Sequence, residues 1–160
     1  MKPTVYIETT IPSLLTAWPS RDLLIAAQQA ATGEWWETRD GYELCVSEEV
    51  LREAGRGDAV AAAQRLAAIG DCIILPVTVE VERLTERILA NGLIPERAIR
   101  DAIHIAVTAV HQVDYLLTWN CRHINNATIQ RQLERVCRAA GHELSVICTP
   151  NGLLGSSPKT

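Results

Sequence analysis

The chain has 160 residues, 48% of them hydrophobic, enough for one well-buried core and too few for two ordinary domains. Its 15 basic and 19 acidic side chains leave a net charge of −4, which excludes a global positive field for nucleic acid and confines any RNA contact to local sites. No apolar run approaches the ~20 residues of a membrane span, and the start of the chain lacks the long apolar core and small-residue cleavage site of a signal peptide, so the sequence predicts a soluble, cytoplasmic protein with no membrane association.

Thr4-Val5-Tyr6-Ile7 is a short β-branched and aromatic run that reads as the first strand, ending at Glu8-Thr9-Thr10 before a proline-punctuated turn at Ile11-Pro12-Ser13. From Ser20, read as an N-cap, to about Trp36, Leu23, Leu24, Ala27, Ala30 and Ala31 recur at helical spacing. Tyr42 to Val46 reads as a second strand, after which Ser47-Glu48-Glu49 opens a helix as an N-cap with acids in its first turn, broken by Gly55 and Gly57. Asp58 caps an alanine-rich helix to about Ile69, and Cys72 to Leu75 is a third strand stopped by Pro76. Thr78 caps a helix that Asn91-Gly92 ends, and Pro95-Glu96 opens the most apolar helix of the chain, Ile99 to Val110, which calls for cover on both sides. Tyr115 to Thr118 is a fourth strand, Asn126 to Ala140 a polar helix and Leu144 to Cys148 a fifth strand. One domain over 1–150 followed by a flexible tail over 151–160 is the organisation this predicts, with the small polar stretch from Gly155 the clearest part of the tail. Strands alternating with helices imply a three-layer α/β/α fold around a parallel sheet of about five strands.

In such a sheet the ligand site lies beyond the carboxyl ends of the strands, where strand order reverses. Strand one ends at Glu8, strand two leads to Ser47 and the helix bearing Glu53, strand four ends at Trp119-Asn120, and Asp101 opens the helix before strand four. Oxygen ligands gathered there would suit Mg²⁺ or Mn²⁺. Each residue also has an ordinary reading. Glu53 fits a solvated helix face, Asp101 a first-turn carboxylate serving the helix dipole, and Asn120 a strand-end turn; Glu8 alone gains nothing from propensity at a strand end. His104, three residues after Asp101, reads as a packed or hydrogen-bonded core histidine. The five cysteines, at 45, 72, 121, 137 and 148, are odd in number and hold no C-x-x-C pair, which argues against a disulfide framework, and Cys121-Arg122-His123 with Cys137 matches no common zinc spacing. Dinucleotide, P-loop and nucleophile-elbow motifs do not occur in the sequence.

The stretches Val5-Tyr6-Ile7-Glu8-Thr9-Thr10, Ser47-x5-Glu53, Asp101-Ala102-Ile103-His104-Ile105-Ala106 and Asp114-Tyr115-Leu116-Leu117-Thr118-Trp119-Asn120 resemble, in order and separation, the motifs of the PIN-domain family. The likeness spans roughly Thr4 to Cys148 and is best marked from Asp101 to Asn120. It implies a metal-dependent endoribonuclease, of the kind found as toxins of VapC-like toxin–antitoxin pairs, with Glu8, Glu53 and Asp101 as ligands of Mg²⁺ or Mn²⁺ and Asn120 as a fourth catalytic position. RNA as substrate and an antitoxin protein as partner follow from the same resemblance, which leaves a homodimer open. Glu8 stands where an aspartate is more usual, and Asn120 where many members carry a fourth acid, which removes one negative charge from the site. Thr9, Thr10, Ser47 and Thr118 are expected to support the acids, and Arg97, Arg100 and Arg122 to contact backbone phosphates. The alternative carried by the same residues is a PIN-like module that has lost catalysis and binds protein or RNA.

Overall fold

Val5, Tyr6 and Ile7 have no exposed surface, and the strand they form is the middle of the sheet. The computed structural model describes residues 1–155. Its strands are β1 (Thr4–Ile7), β2 (Glu43–Ser47), β3 (Ile73–Leu75), β4 (Tyr115–Leu117) and β5 (Val146–Cys148), all parallel, in the order β3-β2-β1-β4-β5. The chain runs outward from β1 through β2 to β3, returns to the other side of β1 for β4, and finishes at β5. The order therefore reverses at β1 and β4, which pair in the register Val5 with Tyr115, Tyr6 with Leu116 and Ile7 with Leu117. The paired spans are one or two residues shorter than several of the apolar runs, because a ladder ends where the neighbouring strand does. The edge strands β3 and β5 are only three residues long, and their partly exposed side chains fit the short edges that discourage further pairing.

Among the described residues eight α-helices flank the sheet: α1 (Thr10–Thr16), α2 (Leu23–Trp36), α3 (Glu48–Ala54), α4 (Ala59–Ala68), α5 (Val79–Ala90), α6 (Ile99–Val110), α7 (Ala127–Ala139) and α8 (Pro150–Leu153). On one side α1 packs with α2 and α4 and α2 with α8, on the other α5 packs with α6 and α7, and α3 touches both α4 and α6. The three-layer architecture read from the sequence is the one observed. As its composition demands, α6 is the most deeply covered helix, with Ala102, His104, Ile105, Ala106, Val107, Thr108 and Ala109 all buried. Asp58 and Thr78 cap α4 and α5 through their side chains, and Gly92 follows α5 with the left-handed φ of 69° that glycine adopts without penalty.

Four details differ from the sequence reading. Ile11-Pro12-Ser13 is not a turn but lies inside α1; Pro12 is tolerated because the first helical turn leaves its backbone N–H groups unpaired in any case. The cap of α2 is Asp22, whose Oδ1 accepts from the backbone N–H groups of Leu24 at 2.9 Å and Ile25 at 3.0 Å, and not Ser20. Of the apolar positions at helical spacing on α2 only Ala31 is buried: Leu23 is 86% and Leu24 78% exposed, and Ala31 joins Thr32 and Trp35 in the buried face. Finally, Pro150–Leu153, placed largely in the tail by the sequence, is a short helix against α2, and the remainder of the predicted tail from 156 onward lies outside the described residues.

Moving the α2 cap gives a direct test. Asp22→Ala should cost about 1 kcal/mol, lowering the melting temperature of a chain this size by roughly 2–4 °C. Ser20→Ala should cost less, and calorimetric melts that reverse this order would return the cap to Ser20.

Candidate active site

Beyond the carboxyl ends of β1 and β4, at the point where strand order reverses, a cleft of ≈ 490 Å³ has Glu8, Glu53, Asp101 and Asn120 all in its wall. A larger hollow of ≈ 640 Å³ lies at the opposite ends of the strands, against Lys2, Glu43 and Ile73. Position relative to the strand ends, and not size, is what marks the smaller one as a site.

Glu8 directly continues β1 and is only 3% exposed. A carboxylate this deep requires donors. Its Oε1 accepts from Thr10 Oγ1 at 2.5 Å and from Thr118 Oγ1 at 2.6 Å, so the residue ending β1 is tied to the residue following β4. Both hydroxyls also accept from the next loop, Thr10 from the N–H of Trp119 and Thr118 from that of Asn120, each at 2.9 Å. Burial pushes the Glu8 carboxyl above its ordinary value, against the opposing influence of the His104 charge and these hydroxyls.

Glu53 reaches the cleft from the last turn of α3. Its Oε1 is 2.6 Å from His104 Nε2 and accepts from Thr9 Oγ1 at 3.2 Å. Burial raises its pKa, but the hydrogen bond and charge of His104, with Thr9 and Arg100, outweigh that and hold it below the usual carboxylate value. His104 has no exposed surface, and its Nδ1 is 2.6 Å from Tyr6 Oη, which in turn lies 2.7 Å from Ser47 Oγ. Burial alone would lower the imidazole pKa; the bond to Glu53 and the charges of Glu8, Glu53 and Asp101 reverse this and raise it. Asp101, in the first turn of α6, places Oδ2 2.9 Å from His123 Nδ1. Asn120 turns its Oδ1 toward the loop after β4, accepting from the His123 N–H at 3.0 Å.

Each of the three carboxylates thus commits one oxygen to a protein donor, while Glu8 Oε2, Glu53 Oε2 and Asp101 Oδ1 have no side-chain hydrogen-bond partner among the described residues. The donor set is all oxygen and suits a hard divalent cation. Among the described residues, however, no three His, Cys, Asp or Glu side chains stand close enough as placed to hold a metal ion. Each acid has its own anchor: Glu8 on the two threonines, Glu53 on His104, Asp101 on His123.

Thr9 and Thr118 touch the acids directly, whereas Ser47 reaches Glu53 only through Tyr6 and His104. Arg97 and Arg122 are exposed and outside the cleft wall, and Arg100 is 3.4 Å from Glu49 of α3. The sequence reading overlooked Tyr6 and treated His123 only as an improbable zinc ligand. Tyr6 was legible in principle, being the sole hydroxyl-bearing side chain among the fully buried residues of β1, whereas nothing in the sequence pairs His123 with Asp101 across 22 positions.

The coupled pair His104–Glu53 gives the stability of the fold a pH signature. The raised His104 contributes stability that is complete below its ordinary pKa of 6.5 and is lost as pH rises through its folded value; the lowered Glu53 contributes stability present above its ordinary 4.5 and lost as pH falls through its folded value. The advantage of the parent over His104→Gln in urea midpoint should therefore be greatest between about pH 4.5 and 6.5 and shrink on either side. A difference independent of pH would show that the pair does not titrate as a unit.

No protein-family model matches the chain, and no curated protein matches it. Among solved structures, it is similar to a chain in the crystal structure of VapBC2 from Rickettsia felis bound to a DNA fragment from their promoter. The two share 11% identity, with a TM-score of 0.54 over 91% of this chain and 98% of the other. At that identity the likeness is one of fold alone.

Proposed function

We propose that this chain is a divalent-metal-dependent endoribonuclease that hydrolyses RNA phosphodiester bonds, and that its protein partner is an antitoxin. The observation that carries this reading is the cleft itself: Glu8, Glu53 and Asp101, from three separate elements, in one wall at the switch point of a parallel sheet. They would hold Mg²⁺ or Mn²⁺ through the oxygens their protein partners leave available. The chemistry that a cation held there would supply is activation of water and relief of the charge developing at phosphorus. The chain's own contribution is orientation. Thr10 and Thr118 fix Glu8, His104 and Thr9 fix Glu53, and His123 fixes Asp101, while the Asn120 amide nitrogen, free of side-chain bonds among the described residues, is available to orient water or substrate. Exposed Arg97, Arg100 and Arg122 are the cations assigned to phosphate contacts.

The antitoxin partner is supported by the fold shared with a VapBC2 chain and by Trp18, Leu23 and Leu24, which no part of the described chain covers. One observation favours the second reading, a binding module without catalysis. Asn120, at the position where a fourth acid is more usual, has its carbonyl oxygen occupied in closing a loop on the His123 N–H.

RNA cleavage with and without Mn²⁺, comparing the parent with Asp101→Ala, separates the two. The enzyme reading expects Mn²⁺-dependent cleavage by the parent and a loss of at least two orders of magnitude in the variant; a binding module retains RNA or protein binding and cleaves under neither condition. Mn²⁺ at 100 times its dissociation constant should stabilise the parent by ~2.7 kcal/mol, which raises its melting temperature by about 5–10 °C. A parent whose melt is unchanged by Mn²⁺ would contradict the metal centre independently of any RNA chosen.

A further inference from the structure

Beneath the cleft a line of hydrogen bonds, buried from Ser47 to His104 and part-buried at its end, joins four elements: Ser47 at the end of β2, Tyr6 of β1, His104 of α6 and Glu53 of α3. Its protons can be assigned from the acceptors. An ionised carboxylate only accepts, so His104 Nε2 carries a hydrogen and donates to Glu53 Oε1. With a neutral ring, Nδ1 accepts from the Tyr6 hydroxyl, whose oxygen accepts from Ser47; with a charged ring those two bonds reverse. In both states the donation to Glu53 is the same.

Two features set this line apart from the ordinary satisfaction of core polar groups. Ser47 occupies the N-cap position of α3 with the extended backbone of a cap, yet its hydroxyl bonds no helix N–H and turns to Tyr6. The line also ends on a carboxylate in the cleft wall, holding one oxygen and leaving the other without a side-chain partner among the described residues.

Resting on the metal-centre reading above, we propose that His104 is a positioning residue for that centre. Braced by Tyr6 and Ser47, its Nε2–H pins Glu53 Oε1 to the protein and reserves Oε2 for the cation. Without the pin, Glu53, in the final turn of a seven-residue helix, keeps only the longer bond from Thr9 Oγ1 at 3.2 Å to hold it in the cleft.

The test exploits which ring nitrogen does what. Counted along the side chain from Cα, the amide nitrogen of glutamine lies as far out as imidazole Nε2, and that of asparagine as far out as Nδ1. His104→Gln keeps a donor for Glu53 and gives up Tyr6; His104→Asn does the reverse. In the full-length protein, calorimetric Mn²⁺ affinity should fall about 10–100-fold in His104→Asn, the usual scale for losing a group that orients a ligand, and by only a few-fold in His104→Gln. A purely structural histidine would instead rank the two variants by their melting temperatures. Tyr6→Phe, which removes the brace and keeps the ring packing, should lie between them, and it carries the test if His104→Asn fails to fold. In the metal-free parent, the His104 Nε2 proton should be slow to exchange and shifted downfield by NMR, and should move upfield in Glu53→Gln. Equal Mn²⁺ affinity in the parent, His104→Asn and Tyr6→Phe, or an Nε2 proton indifferent to Glu53→Gln, overturns the role of His104 and leaves the metal centre standing. A parent that binds no Mn²⁺ overturns the metal centre and the role together.

Discussion

A carboxylate at the end of a fully buried central strand is the constraint around which this structure is arranged. Glu8 cannot be left without donors at that depth, since an unpaired buried charge costs far more than a single fold-stabilising contact returns. Its donors come from Thr10, at the start of α1, and Thr118, just past β4. Those hydroxyls in turn accept from the backbone of Trp119 and Asn120, so satisfying one charge also fixes the loop that carries Asn120. The bonds of Glu8 thus tie the end of β1 to the residue after β4 and to the cleft rim.

The second organising element is α6, whose buried length would be an ordinary hydrophobic helix but for Asp101 and His104. They lie three residues apart, on neighbouring positions of the helix surface. Asp101 looks to His123 in the loop after β4, and His104 to Glu53 on α3 and Tyr6 on β1. One helix thereby fixes the position of the α3 acid and carries another acid itself. A second contact runs between the same two helices, from Arg100 to Glu49, and Glu49 is also paired with Arg52. Surface pairs contribute little, but Glu49 is 3% exposed and needs its cations.

The α1–α2 region departs furthest from what its sequence suggests. Leu23, Leu24, Ala27, Ala30 and Ala31 recur at helical spacing, yet of these only Ala31 is buried, beside Thr32 and Trp35. Leu23 and Leu24 face solvent, one turn or less from Ile25, which lines the cleft. The same region is tied to the site rim, because Trp119 Nε1 donates to Thr32 Oγ1 at 2.8 Å.

What the sequence by itself determined is what local pattern controls. Strand and helix alternation, the apolar run of α6, the caps at Asp58 and Thr78 and the glycine after α5 all follow from side-chain type and spacing, and they sufficed for a parallel α/β/α fold and for placing Glu8, Glu53, Asp101 and Asn120 near strand ends. The α2 cap was misplaced by two residues because Ser20 and Asp22 are both good caps, and only the course of the preceding turn decides between them. The orientation of the α2 stripe depends on which faces the neighbouring helices leave open, and local spacing does not contain that information. Tertiary structure alone decided the partners of the site: that Ser47 turns from its helix to Tyr6, that Tyr6 meets a histidine 98 positions away, that this histidine holds Glu53, and that His123 holds Asp101. Such contacts join residues far apart in the chain, and the physical reason they form is burial, which obliges each polar atom to find a partner wherever the packed layers bring one within reach.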